Sequence, residues 1–338
     1  MSLPALPRSA DSYARDRRAE IGAAVEAVRR QWRRMGDDFD VSYRAIEPVL
    51  LEAMDRAQER MTERALTYVP AVLEETGQRR ALAPRFEPDT AFMVGTTGAG
   101  LTTEGLAYES VIKAKTAVGS GATTATALAE AGSFLTLATA TLLSDTARTA
   151  EKVAMHARPV TGYVRMLNPP SCGRCVVLAG KRSSSSTPFR RHPGCDCATI
   201  PVSESIAGEF TVDPTAYLDS LDDAALAKAL GSQANAQAFR AGADPGQLVN
   251  AYRKSGGVRA AQVYGRSVKY TTEGVTRRGF AYSRMRGAGY AQAQTDVRDR
   301  GARYFQAKAP RLMPESIFQI AENKADADRL LRLYGWII

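Results

Sequence analysis

All four cysteines of this 338-residue chain, and one of its two histidines, fall within 26 positions: Cys172-Gly-Arg-Cys175, then His192-Pro-Gly-Cys195-Asp-Cys197. Thiols that merely fill a core would be scattered, so the cluster forces the two ends of this segment toward one centre. Zinc takes four soft or borderline ligands tetrahedrally, and a Cys-x-x-Cys turn lets two thiolates reach one ion while backbone amides hydrogen-bond to the sulfurs. Cys172 and Cys175 supply one pair. His192, Cys195 and Cys197 offer three candidates for the other two places, and the spacing admits each pairing. Four protein ligands leave no open position for a substrate, so the expected cofactor is a structural Zn2+. A redox Cys-x-x-Cys and unmetallated thiols are the competing readings.

The cellular setting bears on that choice. The N-terminus, Met1-Ser-Leu-Pro-Ala-Leu-Pro, has no charged region followed by an apolar one, so no secretory signal is read. The most apolar run, around Ala125 to Leu143, is broken by threonines, Glu130 and Ser133, which argues against a membrane span. A reducing cytosol is therefore expected, where clustered cysteines hold metal more often than they form disulfides. Hydrophobic content of 44% and charged content of 24% are those of an ordinary globular chain.

Periodicity predicts helices over most of the first 157 residues. Ile21, Val25, Val28, Trp32 and Met35 recur at steps of four and three, and Gly36 ends the pattern. Ile46, Leu50, Met54, Ala57, Met61, Ala65 and Tyr68 repeat it, with Pro48 expected in the first turn of its helix. The two stripes suggest a helical hairpin. After a Pro- and Gly-rich stretch from Arg79 to Gly105, helices are expected from about Leu101 to Lys115 and from Thr123 to Ala157. The second places Leu128, Ala131, Leu135, Ala138 and Leu142 together, and its small residues allow a close neighbour. Tyr163 to Leu167 and Ala198 to Val202 read as strands flanking the cysteine segment, which suits a small zinc-stapled hairpin.

The net charge of +9 is unevenly spread. From Arg253 to Arg311 there are fourteen Lys/Arg against three Asp/Glu, a surplus of eleven. Arg277, Arg278, Arg284 and Arg286, with Phe280, Tyr282 and Tyr290 between them, combine phosphate-neutralising charge with rings that could stack on bases. They are the candidate nucleic-acid-binding residues, for contact without sequence reading; a solvated face or an acidic protein partner are the alternatives. The preceding stretch is acidic, and Asp219, Asp222 and Asp223 read best as exposed helix starts. The apolar tail, Leu330 to Ile338, must dock somewhere, most simply on its own domain.

The segment Gly162-Tyr-Val-Arg-Met-Leu-Asn-Pro-Pro-Ser-Cys172-Gly-Arg-Cys175-Val-Val-Leu-Ala-Gly180, continued by Arg191-His-Pro-Gly-Cys195-Asp-Cys197 and Ile200-Pro201, resembles the end of Mu F-like head morphogenesis proteins, minor capsid proteins of tailed bacteriophages. The actinobacteriophage type is the nearest in appearance, and Leu143-Ser-Asp-Thr-Ala-Arg148 upstream fits the same domain. The tight motif covers about 45 residues, and Cys-x-x-Cys with a downstream His-Pro-x-Cys-x-Cys is rarer than either half. Lys181-Arg-Ser-Ser-Ser-Ser186 departs from the pattern, since related sequences are more aromatic there. The resemblance implies a virion component made in the bacterial host cytoplasm and built into the capsid interior near the portal. Its implied partners are portal, scaffold or major capsid protein; the basic segment adds contact with packaged DNA, and the interrupted apolar run argues against a membrane partner. Cys172, Cys175, His192, Cys195 and Cys197 are the positions carried over.

A head maturation protease or other head-processing enzyme is the alternative. A serine triad needs a free imidazole as base. With His192 in the motif, only His156 remains, at the end of an expected helix where a histidine commonly meets the last carbonyls. Ser-Lys catalysis has no spacing that singles out a pair, and Gly95-Thr-Thr-Gly-Ala-Gly100 lacks the ending of a phosphate loop. No catalytic residue is assigned. The expected fold is mainly α with a small β part (α+β). Residues 1–100 would form an N-terminal helical region, 101–203 a Mu F-like domain ending in the zinc-stapled β-hairpin, and 204–338 a mixed region containing the basic segment 253–311.

Overall fold

A computed structural model describes residues 5–252, 257–263, 265–275, 280–290, 296–297, 306–307 and 310–337. The chain is mainly helical with small sheets of up to three strands, an α+β protein. It divides into two compact units, a larger one of Pro4–Asn168 with Lys181–Thr211 and a smaller one of Pro169–Gly180 with Val212–Ile338.

Four long helices build the larger unit: α1 (Arg8–Trp32), α2 (Phe39–Glu75), α3 (Thr103–Gly119) and α4 (Thr124–His156). Three start at side-chain caps, where Asp38, Thr102 and Thr123 accept from the N–H three residues on, at 3.0, 3.0 and 3.2 Å. Helix α1 has no cap of its own. The Glu75 carboxylate, from the last turn of α2, accepts instead from the N–H of Arg8 at 2.7 Å and of Ser9 at 2.9 Å. The α2 stripe is buried throughout, from Ile46 to Tyr68. On α1 the buried line is Ala10, Tyr13, Ala14, Arg17, Ala24, Val28 and Trp32, while Ile21 and Val25 are half-buried beside it. Pro48 lies well inside α2 rather than in its first turn, and Pro70 lies inside too. Pro48 is exposed, so solvent can take the carbonyl that its missing N–H leaves free.

Helix α4 packs against α1, α2 and α3. Gly132 is the small residue that makes one approach close: a Cβ there would lie 2.7 Å from the Trp32 ring, whose indole N–H donates to Leu128 O at 2.9 Å. By length and composition α4 is apolar enough to cross a membrane, so the threonines and Glu130 interrupt it less than expected. Its buried positions, Ala127, Ala131, Leu135, Thr139 and Leu142, nevertheless recur on one face, as in a helix packed on other helices.

At the α4 end of the bundle lies an antiparallel sheet of order β2-β1-β3, from β1 (Gly162–Met166), β2 (Arg182–Ser184) and β3 (Ala198–Val202). β1 pairs with β3 from Gly162↔Val202 to Met166↔Ala198. The third strand comes from the Lys181–Ser186 stretch. Tyr163, Val164, Ile200 and Val202 share one apolar cluster with Ala10, Tyr13, Tyr68, Val72 and Ala154, so strands and helix ends form one core. Helix α6 (Ala207–Phe210) closes the unit in sequence.

The smaller unit uses short pieces: α5 (Gly173–Ala179), α7 (Pro214–Asp219), α8 (Asp223–Leu230), α9 (Gln233–Arg240) and α10 (Pro245–Asn250). Then come β4 (Val258–Val263), β5 (Arg266–Thr271), α11 (Phe280–Gly287), β6 (Asp296–Val297), β7 (Gln306–Ala307), β8 (Arg311–Leu312), α12 (Pro314–Ile320) and α13 (Lys324–Leu333). One sheet has the order β4-β5-β8, and β6 pairs with β7. Side chains of Asp213, Asp222, Ser232, Asp244 and Asn323 cap five of the helices. The acidic stretch thus consists largely of helix starts, as expected; Asp219 instead pairs with Arg240 at 3.2 Å.

The apolar tail docks within this unit. Trp336 is fully buried, its indole N–H donates to Leu312 O at 2.8 Å, and the Arg311 guanidinium stacks 3.5 Å from its ring centroid. Arg311 also donates to the carbonyls of Tyr334 and Gly335, at 2.6 and 2.8 Å.

Candidate metal centre

Local sequence shapes each ligand-bearing turn. His192-Pro193-Gly194-Cys195 is a β-turn closed by Cys195 N–H to His192 O at 3.1 Å, with Pro second and Gly194 third at φ +72°. That is the proline and left-handed glycine of a type II turn. The Gly194 N–H donates to Thr141 Oγ1 of α4 at 2.9 Å. At the other pair, Cys172 occupies the cap position of α5 and Cys175 its first turn. A knuckle is expected from the spacing, and the structure extends it into a helix. Gly173 is needed because a Cβ there would lie 2.8 Å from Val249 and 2.9 Å from Ala229 O.

The donor atoms of Cys172, Cys175 and His192 lie within 4.8 Å of one another, and so do the sulfurs of Cys175, Cys195 and Cys197. Cys175 belongs to both groups. Sulfurs 2.3 Å from a tetrahedral zinc would be about 3.8 Å apart, inside that limit. Cys175, Cys195 and Cys197 are 2–4% exposed, Cys172 is half-buried, and none forms a disulfide. The cluster could therefore hold a metal ion, its residues falling in two groups of three that share Cys175.

What surrounds Cys195 and Cys197 is strongly cationic. Arg148 of α4 donates through Nε to Cys197 O at 2.9 Å and through Nη2 to Cys195 O. Its Nη1 meets Asp145 at 3.0 Å, and Asp145 also receives Arg191. Arg165 of β1 donates to Arg190 O and lies 3.9 Å from Cys195 Sγ. The Phe189 ring contacts both guanidiniums, its centroid 4.9 Å from Arg148 and 3.7 Å from Arg165. Asn168 donates to Asp196 O at 2.9 Å, and burial holds the Asp196 carboxyl above the usual carboxylate range.

A third buried guanidinium, Arg17, meets Glu151 at 3.5 Å, both 2% exposed or less. Glu151 also accepts from Tyr13 Oη at 2.8 Å and from the N–H and hydroxyl of Thr199 at 3.1 and 2.6 Å. Tyr68, stacked on Tyr13 at 4.0 Å, donates to Thr199 O at 2.8 Å. Burial raises both tyrosine pKa values well above 10, with the Glu151 charge adding to it, so both hydroxyls stay neutral donors.

Arg17, Arg148 and Arg165 are each 4% exposed or less, while Glu151 is the one fully buried carboxylate among the described residues. Guanidiniums keep their charge in proteins. Part of this positive charge lies beside Cys195 and Cys197. A divalent metal with three or four thiolates carries a net charge of −1 or −2, so the donor set fits its setting electrostatically as well as geometrically.

Sequence reasoning missed this network. Its signal was present: Arg17 sits four residues from Tyr13 and from Ile21, on the apolar line of α1, and Glu151 four from Ala147.

The basic candidates fare differently. Arg277 and Arg278 lie outside the described residues. Arg284 and Arg286 are exposed on α11, with Arg284 over the Phe280 ring at 4.4 Å. Tyr282 is 2% exposed and packs inward, so it cannot stack on a base as expected, whereas Tyr290 is 57% exposed. No protein-family model, no curated protein and no solved structure matches the chain.

Proposed function

We propose that the chain is a structural minor capsid protein of a tailed bacteriophage, of the Mu F-like head morphogenesis type, stapled by a structural zinc ion. It would bind portal, scaffold or shell inside the head. The observation that carries the reading is the meeting of all four cysteines and His192 in two overlapping groups, at the motif on which the resemblance rests. When bound, zinc supplies a cross-link and no open coordination position. The protein's own residues do the rest: Arg148 fixes the Cys195–Cys197 loop, Arg165 holds Arg190 just upstream of it, and Asp145 orients Arg148 and Arg191. The Asp145 and Arg148 pair falls in the upstream segment included in the resemblance, which supports reading that segment and the cysteine motif as one element. Basic residues of the last quarter, Arg284 and Arg286 among them, would touch packaged DNA through phosphates.

Two measurements test this. Elemental analysis of purified protein should find one zinc per chain; less than about half an ion would remove the metal from the reading. The gene should lie just downstream of a portal gene and upstream of scaffold and major capsid genes; a metabolic operon in that place would overturn the capsid assignment. The enzyme alternative predicts discrete cleavage of procapsid proteins that stops on substitution of one nucleophile.

A further inference from the structure

The face of the β4-β5-β8 sheet carries a groove. Its cavity of about 640 Å³ is lined by Arg259, Ala261, Val268, Tyr270, Leu312 and four flanking residues including Tyr290 and Tyr334. Register explains the floor. Arg259 pairs with Tyr270 and Tyr270 with Leu312, so one row crosses all three strands. Ala261 pairs with Val268 one step along the same face, and Arg266 follows at the next step. Side chains two residues apart share a face, which puts a cation at each end of an apolar floor, roughly 14 Å apart along the strands. Arg259 and Arg266 are both exposed.

Two helix ends supply the walls, each built in a fixed way. Gly289, at φ +79°, terminates α11, and the Tyr290 N–H returns to Met285 O at 2.8 Å. Gly335, at φ +68°, terminates α13 just after Tyr334, and the Trp336 N–H returns to Leu331 O at 2.8 Å. Both are Schellman closures, which fix the residue beside the glycine. Tyr290 and Tyr334 meet edge to face at 6.3 Å, leaving most of the Tyr290 ring free. No carboxylate lines the groove among the described residues.

We propose that this groove binds single-stranded nucleic acid, with unpaired bases stacked on Tyr270 and Tyr290 and phosphates held by Arg259 and Arg266. Rings with an open π face between cations accept any base, whereas a duplex keeps its bases stacked on each other and offers them no face. The inference rests on the proposed contact with nucleic acid and assigns it a form and a place.

The test uses the full chain and a labelled oligothymidylate of about 15 nucleotides, the upper end of a single binding site. Binding should weaken steeply with salt. Tyr290→Ala and Arg259→Ala, both at exposed positions, should each weaken it by about five-fold or more, and Tyr290→Phe should restore it. A duplex of the same length should bind at least about ten-fold more weakly. Equal binding of duplex and single strand, with Tyr290→Ala silent, would overturn the groove and leave the DNA contact standing. Binding of neither at low salt would overturn both, and occupation of the groove by a proline-rich peptide instead of the oligonucleotide would overturn the groove assignment.

Discussion

The two units are stabilised by different means. The larger one relies on four helices of 17 to 37 residues that bury long apolar lines, and into this core it places Arg17, Glu151, Arg148 and Arg165. The smaller one uses helices of ten residues or fewer, most begun by a capping side chain, and locks its last residues around one tryptophan. Buried charges are costly unless fully partnered, so the first unit is most vulnerable at its ionic network; short helices gain little from propagation, so the second is most vulnerable at its ends.

That contrast breaks first at Glu151. Glu151→Gln leaves Arg17 charged and buried without its carboxylate, a change expected to cost about 3 kcal/mol or more. Hydrogen exchange is the right probe, because two units need not unfold together. Amides of α1 and α4 should lose protection while those of α8 and α9 keep theirs. Uniform loss would mean the units fold as one and the comparison is void.

Trp336→Ala is the reciprocal test. It removes a fully buried indole and leaves Leu312 O and the Arg311 stack unpartnered, for about 3 kcal/mol, a large-to-small loss in a packed site. Here α8, α9 and α13 should lose protection and α2 should not. A wild-type exchange pattern would show that the tail adds nothing.

How much of this was legible in the sequence follows the same division. Periodicity places α3, α4 and the strands β1 and β3 within a few residues, whereas α2 runs seven residues beyond its stripe at each end, from Phe39 to Glu75. Pro48 misleads, since a proline whose lost hydrogen bond faces water is tolerated mid-helix. At the candidate site, the cysteine and histidine spacing names the residues that meet, but not the guanidiniums around them. Arg148 and Arg165 are one residue each among 45 Lys/Arg, and only the fold reveals that they are buried. Tyr282 reads as a stacking ring from spacing alone, yet α11 turns it inward.

Arg148 offers a smaller and more local effect. Arg148→Met removes donors to the carbonyls of Cys195 and Cys197, each of which then lacks a partner worth about 1–2 kcal/mol. In metal-free protein the Cys195 and Cys197 thiols should react with a disulfide reagent about ten-fold faster, as their loop opens more often. Unchanged rates would show that the loop is held by its turn alone. In the smaller unit, Asp222→Ala removes the cap of α8 and should cost about 1 kcal/mol, read as weaker protection confined to α8 and α9.

Glu75 completes the capping of the larger unit's long helices, since it caps α1 from a helix 66 residues away in sequence. Hydrogen bonds from the Ser9 N–H and hydroxyl, then the Arg8 N–H, hold its carboxyl below the usual carboxylate range against a small opposing effect of burial. The folded pKa therefore lies below the unfolded one. The cap's contribution is fully present above the unfolded value, near pH 4.3–4.5, and is lost as pH falls through the folded value. The side chain is 31% exposed, so solvent screening keeps the effect at about 0.5–1 kcal/mol. Glu75→Gln should remove that much stability at pH 7 and progressively less as pH falls below the unfolded value, narrowing the difference between the two proteins in urea melts. A constant difference across that range would mean that the carboxylate's charge plays no part, and that α1 is held by its buried line alone.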